Sequence, residues 1–277
     1  MSTSASSTKL KIAAIQMVSS ASLQQNLVTA ERLIKAAAAD GAQLAVLPEY
    51  FCMMGLKDTD KVHAKEKLGS GPIQEKLAAI TKDSGIYLIA GTIPLEAKDP
   101  NKVLNTTLIF GPDGQRVGRY DKIHLFGFQT STERYQESET IEAGEQPGIV
   151  KISINGADWT LGLSICYDLR FPELYRALGQ VDCHIIPAAF TYTTGKDHWE
   201  VLLRARAIDS LVWVGAAAQA GTHENGRRTW GHSMWVDPWG QVVACQPQGA
   251  ACVVAELDMQ TLLDRRQQLP AVLPAAG

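Results

Sequence analysis

Apolar residues in this chain fall into short, nearly continuous runs separated by stretches with helical spacing, a pattern that predicts alternating strands and helices. "LKIAAIQM" (10–17) is a strand, and residues 22–39 form an alanine-rich helix with Gly41 just past its end. "QLAVLPEY" is a buried strand; a helix over 72–83 follows, then strands at "YLIAGTI" and "VLNTTLIF". "GPDG" turns the chain into "QRVGRYDKIHL", a strand whose alternation sets Tyr120, Lys122 and His124 on one face. The second half repeats the plan: strand "WTLGLSIC", helix 172–179, strand "CHIIPAAF", helix 197–209, strand "VWVGAAAQ" and a hairpin through "DPWG".

"LIFGPDGQRV" and "MWVDPWGQVV" share their turn pattern, with Pro112 and Pro238 at matching places. Two readings are open: hairpin turns look alike for local reasons, or the chain carries an internal pseudo-repeat. The second case implies two α/β halves packed sheet against sheet, a four-layer α-β-β-α sandwich. At 277 residues the chain can bury a full hydrophobic core. The expected organisation is one domain over 10–270, with a disordered polar tail at 1–9 and a short tail at 271–277.

Composition narrows the function mainly by exclusion. A net charge of -3, with no basic run interleaved with aromatics, gives nucleic acid no footprint. No apolar segment reaches the roughly 18 residues of a membrane span and no signal sequence opens the chain, so the cytoplasm is the expected location. Five cysteines, odd in number and without a CxxC pair, read as free thiols. The six histidines contain no HExxH, so no metal ligand set is expected, and no phosphate-binding glycine loop is present.

Three residues stand at the ends of apolar runs, where ligands and nucleophiles gather in α/β sheets. Cys166 closes "TLGLSIC" just before Pro172 starts a helix, although buried cysteines more often only fill space. Glu49 closes "LAVLPE" and is either a surface acid or a paired buried one. Lys122 lies in "RYDKIHL" and either meets water or faces inward to a carboxylate or thiolate. Together they would form a complete set: an ammonium stabilises a thiolate, and a carboxylate can carry its proton and later activate water.

The blocks "LPEYF", "YDKIHLF", "YQES", "SICYDLRFPEL", "AAFTYTTGKDHWEVLLRARAID" and "GHSMWVDPWG" resemble the carbon-nitrogen hydrolase (nitrilase) superfamily from about residue 10 to 270. The resemblance implies the four-layer sandwich, and a homodimer or higher even-numbered oligomer. It implies Glu49 as general base, Lys122 as the cation beside the oxyanion with the Tyr167 N–H, Cys166 as nucleophile and Glu137 as a second, positioning glutamate. No metal or organic cofactor is implied. Within the superfamily, "AAAQAGTHENGRRTWGHSMWVDPWG" resembles deaminated glutathione amidases most and omega-amidases next. The expected partner is thus a small 2-oxo-acid amide, cleaved to a carboxylate and ammonia. A nitrilase, an N-carbamoyl amidase or a non-catalytic thiol sensor is the alternative. Arg170 matches the position that pairs with the substrate carboxylate, its other reading being an ion pair with Asp168 or Glu173. Phe190 and Thr194 match pocket-lining positions on the loop after "HIIPAAF". His198, Trp199, Arg204 and Arg206 are expected in packing and buried ion pairs, and Cys52 as a bystander.

Overall fold

In the computed structural model, which describes residues 8–131 and 133–271, two sheets carry the fold. Most of the 1–9 tail and of the 271–277 tail lies outside the described residues. The first sheet runs Ala251–Asp258, Lys9–Gln16, Leu44–Val46, Tyr87–Ile89, Val103–Phe110, Arg116–Asp121, with two short strands completing its eight. The six-stranded second sheet runs Gly148–Ile154, Ala157–Leu163, Cys183–Ala188, Trp213–Ala218, Ser233–Val236, Val242–Gln246. Read in those orders, successive neighbours pair antiparallel, parallel, parallel, antiparallel, antiparallel in both sheets. The two proline turns occupy equivalent hairpins, and each hairpin carries a register shift in its first strand, at Ile109/Phe110 and at Trp235/Val236. The repeated turn pattern therefore reflects duplicated topology, not chance.

The sheets face each other across a core that includes Ile12, Tyr120, Trp159 and Trp235, all buried. Helices Leu23–Ala39 and Pro72–Ser84 cover the first sheet, and Pro172–Ala177 and Tyr192–Ser210 the second, giving the four layers. Local chemistry explains the helix limits. The Ser22 hydroxyl accepts from the Gln25 N–H, and Pro72 opens a helix that Gly85 ends with a left-handed φ of 65°.

Three expectations need correction. The helix placed at 197–209 begins at Tyr192, five residues earlier, so Thr194 lies in its first turn and not on a loop. Its start is masked in the sequence by Gly195, a poor helix former; a Cβ there would sit 2.3 Å from Cβ of Trp230, so the glycine serves packing. The helix placed at 172–179 ends at Ala177. The strand through "RYDKIHL" ends at Asp121, so alternation no longer governs Lys122 and His124.

His184, in the middle of the second sheet, is fully buried, and neither ring nitrogen has a hydrogen-bond partner among the described residues. Burial, with Arg206 and Arg266 adding to it, pulls its pKa from 6.5 down to about 3. As pH falls below about 6.5 the unfolded chain takes up a proton that the folded one refuses, costing about 1.4 kcal/mol per pH unit. His184→Leu is expected to be neutral or stabilising at pH 7 and to flatten this acid loss. Urea midpoints measured from pH 7 to 4 check it, and an unchanged acid slope would contradict it.

Candidate active site

Glu49, Lys122, Glu137 and Cys166 converge at one end of the facing sheets. Glu49 follows the strand Leu44–Val46 and is 1% exposed. The chain turns sharply after it: Tyr50 has a φ of 54°, and Gly91 passes so close that a Cβ would lie 2.1 Å from the Pro48 carbonyl. Only glycine fits at that crossing. Cys166 follows the strand Ala157–Leu163 and itself has a φ of 50°, a left-handed conformation costing about 1–2 kcal/mol. This kink begins a short 3-10 turn, Cys166–Arg170, that brings the sulfur and the Tyr167 N–H to the head of the turn.

Lys122 is fully buried, and its ammonium donates to Glu49 Oε1 at 2.8 Å and to Glu137 Oε1 and Oε2 at 3.0 and 2.8 Å. Asn105 Nδ2 donates to Glu49 Oε1 at 2.9 Å, and the Ala189 N–H to Oε2 at 2.9 Å. Glu137 accepts from the Tyr50 hydroxyl at 2.8 Å and the Phe126 N–H at 2.7 Å. Every carboxylate oxygen thus has partners, which burial requires. Burial opposes the charges on Lys122 and Glu137, but the pair outweighs it: the ammonium is raised above its ordinary value, with Glu49 contributing, and the Glu137 carboxyl is lowered.

Cys166 departs from the sequence expectation of an ionised sulfur. Burial pushes its thiol well above the ordinary value, and Glu49 and Glu137 reinforce that more than Lys122 opposes it. Burial is the larger cause, and two carboxylates facing one ammonium add to it. Cys166 is therefore held as a thiol in the field of Glu49.

Asp168, also fully buried, joins the segment around Lys122 to the cysteine turn. Its Oδ2 accepts from the Tyr120 hydroxyl at 2.7 Å and the Ile165 N–H at 2.9 Å; its Oδ1 accepts from the His124 N–H at 2.9 Å and contacts His124 Nδ1 at 2.7 Å. Tyr120 and His124 flank Lys122, so one carboxylate sets the register between ammonium and sulfur.

A narrow cavity opens on Cys166 and is lined by Glu137, Tyr167, Arg170, Phe190, Thr194 and Arg227 among others. Arg170 pairs with neither Asp168 nor Glu173; its Nη1 and Nη2 both lie 3.2 Å from His198 Nδ1, and its guanidinium lies over Phe190, 5.2 Å from the ring centre. His198 is thus exposed and engaged by the pocket arginine, not packed in the core. Trp199 is core, Arg206 is a buried partner of Asp209 at 2.8 Å, and Arg204 meets Glu200 at the surface at 3.5 Å. Cys52 is buried outside this cavity, its thiol raised by burial to about 12. Sequence reasoning missed Asn105, Tyr50, Asp168 and Arg227; a lone asparagine in the apolar run "VLNTTLIF" is the single usable signal among them.

Lys122→Met leaves two buried carboxylates facing each other without a cation. The expected loss at pH 7 is about 3–5 kcal/mol in urea unfolding. Because the Glu137 carboxyl is lowered in the folded wild type, its contribution is fully present above about pH 4.3 and is lost as pH falls below that value, so the deficit is expected to shrink there. A deficit independent of pH would contradict the pairing.

The carbon-nitrogen hydrolase family model matches residues 11–267. The chain is 40% identical over 265 residues to the deaminated glutathione amidase of Synechocystis sp., covering 94% of this chain and 96% of that one. To the omega-amidase NIT2 of Xenopus tropicalis it is 38% identical over 266 residues, covering 95% and 93%. The crystal structure of Saccharomyces cerevisiae Nit3, a member of branch 10 of the nitrilase superfamily, superposes with a TM-score of 0.84 at 30% identity, over 96% of each chain. With the sheet order and the convergence of strand ends described above, these matches place the chain in the carbon-nitrogen hydrolase family.

Proposed function

We propose that the protein is a thiol amidase for small 2-oxo-acid amides, of the deaminated glutathione type, with Cys166 as nucleophile and Glu49 as general base. The observation that carries this reading is a buried thiol in the field of the paired Glu49 and Lys122, lining a cavity that also contains Arg170.

Attack begins from the neutral thiol. As Sγ bonds to the amide carbon, its proton passes to Glu49, so the thiolate exists only while it reacts. The negative charge that develops on the carbonyl oxygen is held by Lys122 and the Tyr167 N–H, each contributing about 3 kcal/mol. Glu137, fixed by Tyr50 and Phe126, keeps the ammonium in place. Collapse breaks the C–N bond while Glu49 returns the proton to the departing amine, leaving a thioester. Water deprotonated by Glu49 then attacks the thioester, and the thiol is regenerated with the carboxylate product. A primary amide releases ammonia; a secondary amide releases its substituted amine. Arg170 receives the acid carboxylate bidentately, over the Phe190 ring and beside Thr194.

Omega-amidase action on 2-oxoglutaramate is the second reading, supported by the 38% identity to an omega-amidase. Deaminated glutathione and 2-oxoglutaramate share 2-oxoglutarate as acyl product, so its release compares them directly. Cys166→Ala is expected to abolish release from both, and Glu49→Gln to slow it by about 100-fold or more; a Cys166→Ala variant with residual turnover above background would reject the assignment. Arg170→Leu is expected to raise KM for 2-oxo-acid amides far more than for neutral amides, and equal losses on both would count against its role.

A further inference from the structure

Arg170 is held by an uncharged partner. It closes the 3-10 turn that starts at Cys166, and its guanidinium lies 5.2 Å from the ring centre of Phe190 and 5.8 Å from that of Tyr167. Its Nη1 and Nη2 both lie 3.2 Å from His198 Nδ1. A guanidinium has no acceptor, so Nδ1 takes both N–H groups, the imidazole is neutral and its own proton sits on Nε2. This contact fixes where the arginine fork points, and the N–H groups it does not use remain for a carboxylate.

The acids around Arg170 are engaged elsewhere. Asp197, the residue before His198, reaches Lys196 at 3.8 Å, and Glu200 reaches Arg204 at 3.5 Å. Asp168 is held by Tyr120 and His124, and among the described residues no carboxylate forms an ion pair with Arg170. The choice of partner matters. A carboxylate in place of His198 would neutralise the guanidinium and compete with a substrate anion, and an apolar side chain would leave its end loose among rotamers; a neutral acceptor orients it at full charge. Helical spacing fits the same role. Thr194, one turn before His198, lines the cavity, so this face of the helix Tyr192–Ser210 runs from the pocket wall to its exposed rim.

We infer that His198 is a positioning residue that sets the preference for an anionic acyl group, because it aims the Arg170 guanidinium without cancelling its charge. This rests on the amidase reading above and on Arg170 as the carboxylate partner. It adds a requirement that the arginine alone does not meet.

Two amides that both release ammonia test it: 2-oxoglutaramate, and 4-oxopentanamide, in which a methyl group replaces the carboxylate. The quantity read is the acid-over-neutral ratio of kcat/KM. Asparagine can bring Oδ1 to the position of Nδ1, and aspartate differs from asparagine mainly in charge. His198→Asn is therefore expected to keep most of the ratio, whereas His198→Asp lowers it about 10- to 100-fold, chiefly through KM for the acid, as loss of a charge-assisted contact predicts. In an Arg170→Leu background most of the His198→Asp effect disappears, because His198 acts through the arginine. The inference is overturned if His198→Asp keeps the wild-type ratio, if the asparagine and aspartate variants lose equally, or if the His198→Asp effect keeps its full size without Arg170. Should His198→Asp not fold, His198→Leu takes its place, with a loss expected relative to His198→Asn. Inactivity of the wild type on both amides overturns the amidase reading as well, whereas an active enzyme with an unaltered His198→Asp ratio overturns the His198 role only.

Discussion

One buried ammonium sets the terms for this molecule. Lys122 has no contact with water, and it is tolerable there because two carboxylates, from different parts of the chain, reach it at 2.8 Å. Removing water from three charges costs several kcal/mol apiece, and their mutual attraction offsets it only if all three arrive in register. The register is supplied by neutral donors, namely Asn105, Tyr50 and the N–H groups of Ala189 and Phe126, and by Asp168 on the far side of the lysine. The cluster makes the fold conditional on its own polar contacts as much as on its apolar core.

The same arithmetic governs the sulfur. A lone lysine beside a cysteine would favour the thiolate, and residue types alone suggest that picture. Burial, together with two acids for one base, reverses it. A protonated, buried thiol reacts poorly with stray electrophiles; in the proposed mechanism it becomes a nucleophile only when a carbonyl is in place and Glu49 can take the proton. Selectivity then comes from coupling deprotonation to substrate, not from a standing reactive group.

Much of this was legible in the residues. The apolar runs located the main strands of both sheets, the paired proline turns marked the duplicated hairpins, and Glu49, Lys122 and Cys166 were candidates at strand ends whose meeting spacing alone could not prove. What could not be read depends on distance in sequence. Asp168 is one more acid in "CYDLR" until Tyr120 and His124 fold onto it. Arg227 sits in a polar turn with nothing to mark it, and Gly195 disguises a helix start because its reason, the ring of Trp230, is 35 residues away. Periodicity reports which face is buried, not which partners meet there.

The duplicated topology divides the chemistry unevenly. Glu49, Asn105, Lys122 and Glu137 come from the first half of the chain, and Cys166, Ala189 and Arg227 from the second. During synthesis the charged half leaves the ribosome before Cys166 does. The strand Ala251–Asp258, which completes the edge of the first sheet beside Lys9–Gln16, is made nearly last. Until that strand is made, the first sheet that carries Glu49 and precedes Lys122 has an open edge beside Lys9–Gln16.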